Sequence, residues 1–215
     1  SHQFPWGMSM SLERRLALLD WAGRRDALVI EDDYDGEFRF AGRPLDALKS
    51  LDRAGRVAYV GTFSKTLFPD LRIGYAVPPP SLVGALRKAR QVGDWHGCAL
   101  TQAALAAFMA DHSRHLQLAE FYRQKRDFFR QQLAGTKFEL LPSRGTYFQL
   151  ADYSAIRPDL DDVAMAEWLT REHGVAAIPV SVFYQQAPAG MRLVRFCFAK
   201  REETLRLAAE KLCAI

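Results

Sequence analysis

The sequence predicts an α/β protein: a domain built on a parallel sheet, followed by a smaller α/β domain. Three observations carry that expectation. Short apolar runs at 27–30 (ALVI), 56–62 (RVAYVGT) and 71–77 (LRIGYAV) have strand length and stop at acidic, threonine or proline residues. Segments with apolar residues at helical spacing lie between and after them. Beyond residue 133 the order changes to strand, strand, helix, strand, strand, helix. The chain has 215 residues, 49% hydrophobic and 25% charged, enough for one large or two small globular domains.

Residues 1–8 read as a Pro/Gly turn. Ser9 or Ser11 then caps a helix carrying Leu12, Leu16, Leu19 and Trp21. The runs at 27–30, 56–62 and 71–77 are expected as buried parallel strands, the third ended by Pro78-Pro79-Pro80. Ser81 opens a helix to about Val92, and Thr101 or a neighbour opens another to about Met109. The polar stretch Asp111–His115 breaks the pattern, and a long helix follows over 118–133. Strands are expected at 138–141, 146–150, 175–178 and 193–199. Helices are expected at 160–173, closed by Gly174, and at 202–212. The boundary falls near 111–117, giving domains 1–112 and 113–215. No repeat, low-complexity tract or flexible linker interrupts the chain.

The net charge of +4 comes from 29 basic and 25 acidic residues spread along the chain, which suits an anionic small molecule better than nucleic acid. Direct nucleic-acid binding by these residues is not expected. Cys98, Cys197 and Cys213 are odd in number and far apart, so a reducing cytoplasm is expected rather than a disulfide framework or zinc ribbon. No apolar run approaches the roughly 18 residues of a membrane span. The chain opens on SHQFPWG without a methionine and reads as the interior of a longer protein.

The candidate site is Gly61-Thr62-Phe63-Ser64-Lys65, with Arg72 seven residues after the lysine and Glu31-Asp32-Asp33-Tyr34 upstream. Ligands of open α/β sheets sit outside the carboxyl ends of the strands, where Asp32 and Lys65 are expected. An ε-amine forms a Schiff base with an aldehyde when a dry, cationic setting lowers its pKa. A carboxylate against a pyridine nitrogen keeps the ring protonated and electron-accepting. The Thr62 hydroxyl and Arg72 guanidinium suit a phosphate, the arginine through fork-like, charge-assisted bonds. Pyridoxal phosphate is the cofactor that needs all three groups.

In SHQFPWG, MSLERRLALLDWA, VIEDDYDGEFRF, VGTFSKTLFPDLRIGY and DWH…LTQAAL, residues 1–110 resemble the aminotransferase-like domain of MocR-type bacterial regulators, which are fold-type I pyridoxal-phosphate proteins. In FYRQKRDFF, SRGTYFQLADYSAI, GVAAIPVSVFY and LVRFCFAKREETL, residues 116–215 resemble the small domain of methionine- and kynurenine-type aminotransferases. The resemblance implies a fold-type I transferase, covering the later part of the large-domain sheet plus the small domain. The family's phosphate cup and ring-stacking aromatic lie upstream of its matching stretches. Lys65 resembles the lysine bound to the cofactor, Asp32 the partner of the pyridine nitrogen, and Tyr34 the phenol near the cofactor's phenolic oxygen. Arg72 and Thr62 fall at the phosphate positions. Arg195 resembles the arginine that holds the substrate α-carboxylate, and Tyr184, with Phe183, belongs to a loop approaching the active site. A homodimer is implied for the intact protein.

Plainer readings stand beside these. A lone Lys65 is a surface lysine; its spacing to Arg72 and Asp32 is what reverses that. Asp32, Asp33, Asp35 and Glu37 do not follow the order of a calcium loop, and no histidine is expected to join them. Asp33 and Glu37 are read as solvated or salt-bridged. Arg192 and Arg195 lie three apart, so one faces solvent, and motif match favours Arg195 for the cleft. Cys197 is read as a small core residue, and the Trp and Phe residues at helical spacing as core. His2 lies in the turn that replaces the family's Asn-Pro-x-Gly and is a candidate to approach the cofactor. His96 is left open, and His112, His115 and His173 are placed on the surface.

Two functions from different classes follow. The first is amino-group transfer between an amino acid and a 2-oxo acid, with Lys65 moving the substrate's Cα proton. The second is the effector-sensing domain of a MocR/GntR-type transcriptional regulator, whose winged helix is not among these residues. A third reading is an inactive partial domain with an open strand edge.

Overall fold

Ser11, rather than Ser9, starts the first helix: its hydroxyl accepts the Arg14 N–H at 3.3 Å, and α1 runs Leu12–Arg24. In the computed structural model, residues 2–40, 46–111 and 117–215 are described. They fall into two compact units, residues 1–2, 9–37 and 43–118 in one and residues 3–8, 38–42 and 119–215 in the other. The expected break at 111–117 falls largely outside the described residues, as do His112 and His115.

The first unit continues with β1 (Val29–Asp33), α2 (Leu48–Leu51), β2 (Val57–Thr62), β3 (Gly74–Val77), α3 (Pro80–Gly93) and α4 (Ala99–Met109). The sheet order is β1-β2-β3. β1 and β2 are parallel, in register from Val29 opposite Val57 to Asp33 opposite Gly61. β3 corrects the expectation, because it runs antiparallel to β2, from Tyr59 opposite Val77 to Thr62 opposite Gly74. A parallel partner needs a crossover across one face of the sheet. Here a turn and one 3₁₀ turn (Pro69–Leu71) fold the chain straight back instead. Gly61 is needed for that return, since a Cβ there would lie 2.5 Å from the Tyr75 ring.

β1 does not stop at the acidic residues but extends through them. Glu31 explains part of this: its carboxylate accepts the Leu48 and Lys49 N–H groups at 2.6 and 2.8 Å, capping α2. Nor is β1 buried as expected, for Ile30 is 68% exposed and Leu28 49%. β3 is exposed along its length and α3 has no buried residue. Pro80, at the first turn of α3, starts that helix one residue before Ser81.

The second unit holds α5 (Leu118–Gln132), β4 (Glu139–Leu140), β5 (Phe148–Asp152), α6 (Asp162–His173), β6 (Ile178–Pro179), β7 (Leu193–Cys197) and α7 (Glu202–Cys213). Its sheet is antiparallel, in the order β4-β5-β7-β6. Asp161 caps α6 by accepting the Ala164 N–H at 2.8 Å, and Gly174 closes it with φ 62°. The main core gathers Phe129, Leu133, Phe138, Met165, Leu169, Val194, Phe196, Phe198, Leu205 and Leu212 around buried Tyr153.

Several residue-level expectations change. Phe121 is 49% exposed while Phe129 is buried, because eight residues turn a helix about 80° past a whole number of turns and Phe121 leaves the face that Phe129 and Leu133 share. Trp21 is also 47% exposed. Cys197, at the end of β7 after four buried residues, opens to solvent rather than joining the core. His173 is half-buried, its ring edge-on to Trp168 at 4.5 Å. The strands expected at 138–141 and 175–178 reduce to the two-residue β4 and β6. No described helix is long and apolar enough to cross a membrane.

Candidate active site

In the first unit, parallel pairing puts the carboxyl ends of β1 and β2 on one rim. Asp32 is the penultimate residue of β1 and Thr62 the last of β2, with Asp32 opposite Val60. Tyr34 follows β1, and its hydroxyl donates to the His2 carbonyl at 3.4 Å. Thr62 Oγ1 accepts the Ser64 N–H at 3.2 Å, turning the chain so that exposed Lys65 follows directly beyond the rim. Asp32, Tyr34, Thr62 and Lys65 therefore share the end of the sheet where α/β proteins bind ligands.

Arg72 is reached by the returning loop, which the Phe63 N–H closes on the Ile73 carbonyl at 3.0 Å. Its backbone is left-handed, with φ 50° and ψ 38°, a conformation uncommon for a residue with a Cβ. That conformation takes the chain from the 3₁₀ turn into β3 and leaves the Arg72 side chain exposed. Such strain concentrates at functional positions. Arg72 also lines a cavity of about 860 Å³ within this unit, together with Tyr75, Arg90, His96, Cys98 and Gln102. Asp32, Tyr34, Thr62 and Lys65 do not line it. At its edge the Thr101 hydroxyl, with the Thr101 and Leu100 N–H groups, holds the Cys98 thiol below its ordinary pKa.

The acidic run sorts into separate tasks. Asp33 accepts the Tyr59 hydroxyl at 2.9 Å rather than standing in solvent. Burial, the Tyr75 hydroxyl and Asp33 push the Tyr59 phenol far above its ordinary pKa, so it stays a donor. Asp35 is fully buried and, against expectation, meets a histidine: His2 Nδ1 lies 3.0 Å from Asp35 Oδ1. Among the described residues no three His, Cys, Asp or Glu side chains form a metal cluster.

In the second unit Arg195 sits in β7, only 8% exposed, between the Phe4 and Phe148 rings at 4.3 and 4.5 Å from their centres. The two rings stand edge-to-face to each other at 79°, and the guanidinium sits in their corner within cation–π reach of both. Arg192 lies outside the strand, its guanidinium donating to the Pro158 carbonyl at 3.1 Å. Tyr184 follows the 3₁₀ turn Ser181–Phe183, and its hydroxyl accepts the Trp6 indole N–H at 2.5 Å. Phe4 meets Phe183 edge-on at 4.7 Å. The N-terminal turn thus touches both Arg195 and the Tyr184 loop. Sequence reading missed Phe4, Trp6 and Asp35, whose partners lie far away along the chain.

Comparison with known proteins follows from this geometry. The pattern of the family "Aminotransferase class I and II" matches residues 3–212. The methionine aminotransferase of Escherichia coli (strain K12) is 45% identical over 159 residues, covering 73% of this chain and 41% of that protein. An uncharacterised HTH-type transcriptional regulator of Bacillus subtilis (strain 168), YhdI, is 36% identical over 99% of this chain and 46% of its own length. The crystal structure of Escherichia coli YbdL, for which a methionine aminotransferase function was identified, superposes with a TM-score of 0.91 at 36% identity. That likeness covers 99% of this chain and 56% of the other. The chain spans about half the length of these relatives.

Proposed function

The chain belongs to the class I and II aminotransferases, and from that we propose that it carries out pyridoxal-phosphate-dependent transfer of an amino group between an amino acid and a 2-oxo acid. The observation that carries the proposal is the placement of Asp32 and Thr62 at the carboxyl ends of adjacent parallel strands, with Lys65 just beyond. The groups present fit the cofactor: an amine for its aldehyde, a carboxylate for its ring nitrogen, and a hydroxyl and guanidinium for its phosphate.

When bound, the cofactor supplies an electron-accepting ring. Asp32 would keep the ring nitrogen protonated, Tyr34 would serve the phenolic oxygen, and Thr62 and Arg72 would hold the phosphate. Lys65 would hold the aldehyde and would move the substrate's Cα proton. Arg195, in the corner of the Phe4 and Phe148 rings, would bind the substrate carboxylate, and Tyr184, held by the Trp6 hydrogen bond, would belong to the same site. Residues 1–112 are the later half of the cofactor-binding domain and 113–215 the small domain. The working form is a cytoplasmic homodimer, a setting in keeping with three free thiols.

A second reading, the effector-sensing domain of a MocR/GntR-type regulator, is favoured by the likeness to YhdI over 99% of this chain. Adding amino acids to the cofactor-loaded protein separates the two. Complete conversion of the cofactor to its amino form is expected of the aminotransferase, whereas a spectral change that stops at the first bound species points to the sensor. In Asp32→Asn the cofactor should stay bound while Cα-proton loss slows strongly, because an amide cannot keep the ring nitrogen protonated. Unchanged half-reaction kinetics in that variant would remove Asp32 from the proposed machinery.

A further inference from the structure

Asp162, in the second unit, is a buried acid that its own helix does not need as a cap. It is the first residue of α6 and only 3% exposed. Asp161 already caps that helix, its carboxylate accepting the Ala164 N–H at 2.8 Å. The Asp162 carboxylate instead reaches a residue 19 positions along the chain: Oδ2 accepts the Ser181 N–H and Oδ1 the Ser181 hydroxyl, both at 2.6 Å. A carboxylate buried in this way is tolerated only with strong partners, here two charge-assisted hydrogen bonds to one residue.

Ser181 opens the 3₁₀ turn Ser181–Phe183, and its carbonyl accepts the Tyr184 N–H at 3.0 Å. Through Phe183 and Tyr184 that turn meets the N-terminal turn. The Tyr184 hydroxyl accepts the Trp6 indole N–H, and Phe183 lies edge-on to Phe4. Phe4 in its turn has the Arg195 guanidinium 4.3 Å from its ring centre. Val180, just before the turn, is fully buried in a small cluster with Leu150 and Leu193. An apolar anchor resists withdrawal but has little directional preference, whereas two hydrogen bonds to one residue also fix its direction.

We infer that Asp162 is a positioning residue for substrate binding: by holding Ser181 it keeps Phe183 and Tyr184 against the N-terminal turn, in the form that receives the amino acid at Arg195. The inference rests on the substrate role proposed for Arg195 and Tyr184. Asp162 itself touches no substrate. With the tether weakened, the turn spends less time in the receiving form, and the apparent dissociation constant rises in inverse proportion to that fraction. Proton transfer in the bound state is left alone, since Asp162 meets none of the groups proposed for it.

Asp162→Asn keeps the size of the side chain but turns one acceptor into an amide donor facing the Ser181 donors. Ser181→Ala removes the hydroxyl bond alone, and Ser181→Thr restores a hydroxyl. Amino-acid affinity is titrated through the spectrum of the Lys65-bound cofactor, and the rate of Cα-proton loss is taken at saturating amino acid. Exchange of the Trp6 indole N–H is followed by NMR without cofactor. In Asp162→Asn the dissociation constant should rise about tenfold, with the saturated rate within about twofold of wild type and the indole exchanging about tenfold faster. Ser181→Ala should show the same pattern at about threefold, and Ser181→Thr should lie close to wild type. Leu212→Ala, a core truncation in the same unit, should lower the unfolding midpoint and leave affinity and indole exchange as they are. If Asp162→Asn likewise changes only the unfolding midpoint, the residue is a structural tie and the inference is wrong. A freed indole with unchanged affinity overturns it as well, because the turn would then have no part in binding. If pyridoxal phosphate does not attach at Lys65 in the wild type, the reading beneath fails and takes the inference with it.

Discussion

The two units place their candidate residues on very different scaffolds. Arg195 sits in a strand whose first four residues are buried, inside a sheet that packs Phe129, Phe138 and Phe196 edge-to-face. Asp32 and Lys65 are exposed, on a sheet whose strands β1 and β3 face solvent, in a unit with few buried apolar side chains beyond Ala22, Leu48, Val57 and Leu105. The guanidinium proposed for the substrate carboxylate is thus pre-set by its own unit, through ring contacts and burial. The residues proposed for the cofactor are set by strand direction and turns alone. Packing fixes the first kind of residue and topology the second.

The sharpest break of this contrast is a pair of truncations, one in each unit. Phe196→Ala should cost about 3–5 kcal/mol in denaturant unfolding, because the cavity lies between Phe129 and Phe138. Ile30→Ala, at 68% exposure, should stay within about 0.5 kcal/mol. Equal costs would mean that the first unit is packed as tightly as the second.

Arg195→Lys should weaken amino-acid binding by about 2–3 kcal/mol, since lysine keeps the charge but loses the fork and the stacking on Phe4 and Phe148. Titration against the cofactor spectrum measures it, and the attachment at Lys65 should be untouched. Arg192→Lys should have little effect, because Arg192 is engaged with the Pro158 carbonyl. A defect in Arg192→Lys alone would reverse the assignment.

How far these features were legible depends on the range of the interaction. A helix cap at Ser9 or Ser11, the parallel β1-β2 pair and the α6 terminus at Gly174 follow from local pattern. The direction of β3 was not legible, because an apolar run carries no sign of direction and only the short return loop decides it. Nor was the His2–Asp35 pair, nor the stacking of Phe4 on Arg195, since each joins residues far apart in sequence. Cys197 and Phe121 were misread because an apolar residue in a helix or strand need not face the core. The exposed Ile30 shows the same for a β-branched residue in a parallel strand.

A smaller effect tests the first unit by pH. Burial works against the Asp52 carboxylate, but the N–H groups of Arg56, Val57 and Ala54 and the charge of Lys49 outweigh it and hold its pKa below the ordinary 3.8. A group depressed in the folded state stabilises above its ordinary pKa, and that contribution is lost as pH falls through the folded value. The unfolding midpoint should therefore drop below about pH 4. Asp52→Asn should remove that part of the acid dependence and cost about 1 kcal/mol at neutral pH. The smallest difference is chemical: Cys98, whose thiol is held below its ordinary pKa, should alkylate faster at neutral pH than Cys197 or Cys213, which are also exposed. Equal rates by peptide mass mapping would contradict that ordering.

The central claim is that exposed Lys65, beyond the ends of two parallel strands, is the cofactor lysine. Protein incubated with pyridoxal phosphate, reduced with borohydride and digested should carry the phosphopyridoxyl group on the peptide containing Lys65, and Lys65→Ala should abolish that label. Label spread evenly over the surface lysines, or unchanged in Lys65→Ala, would contradict it.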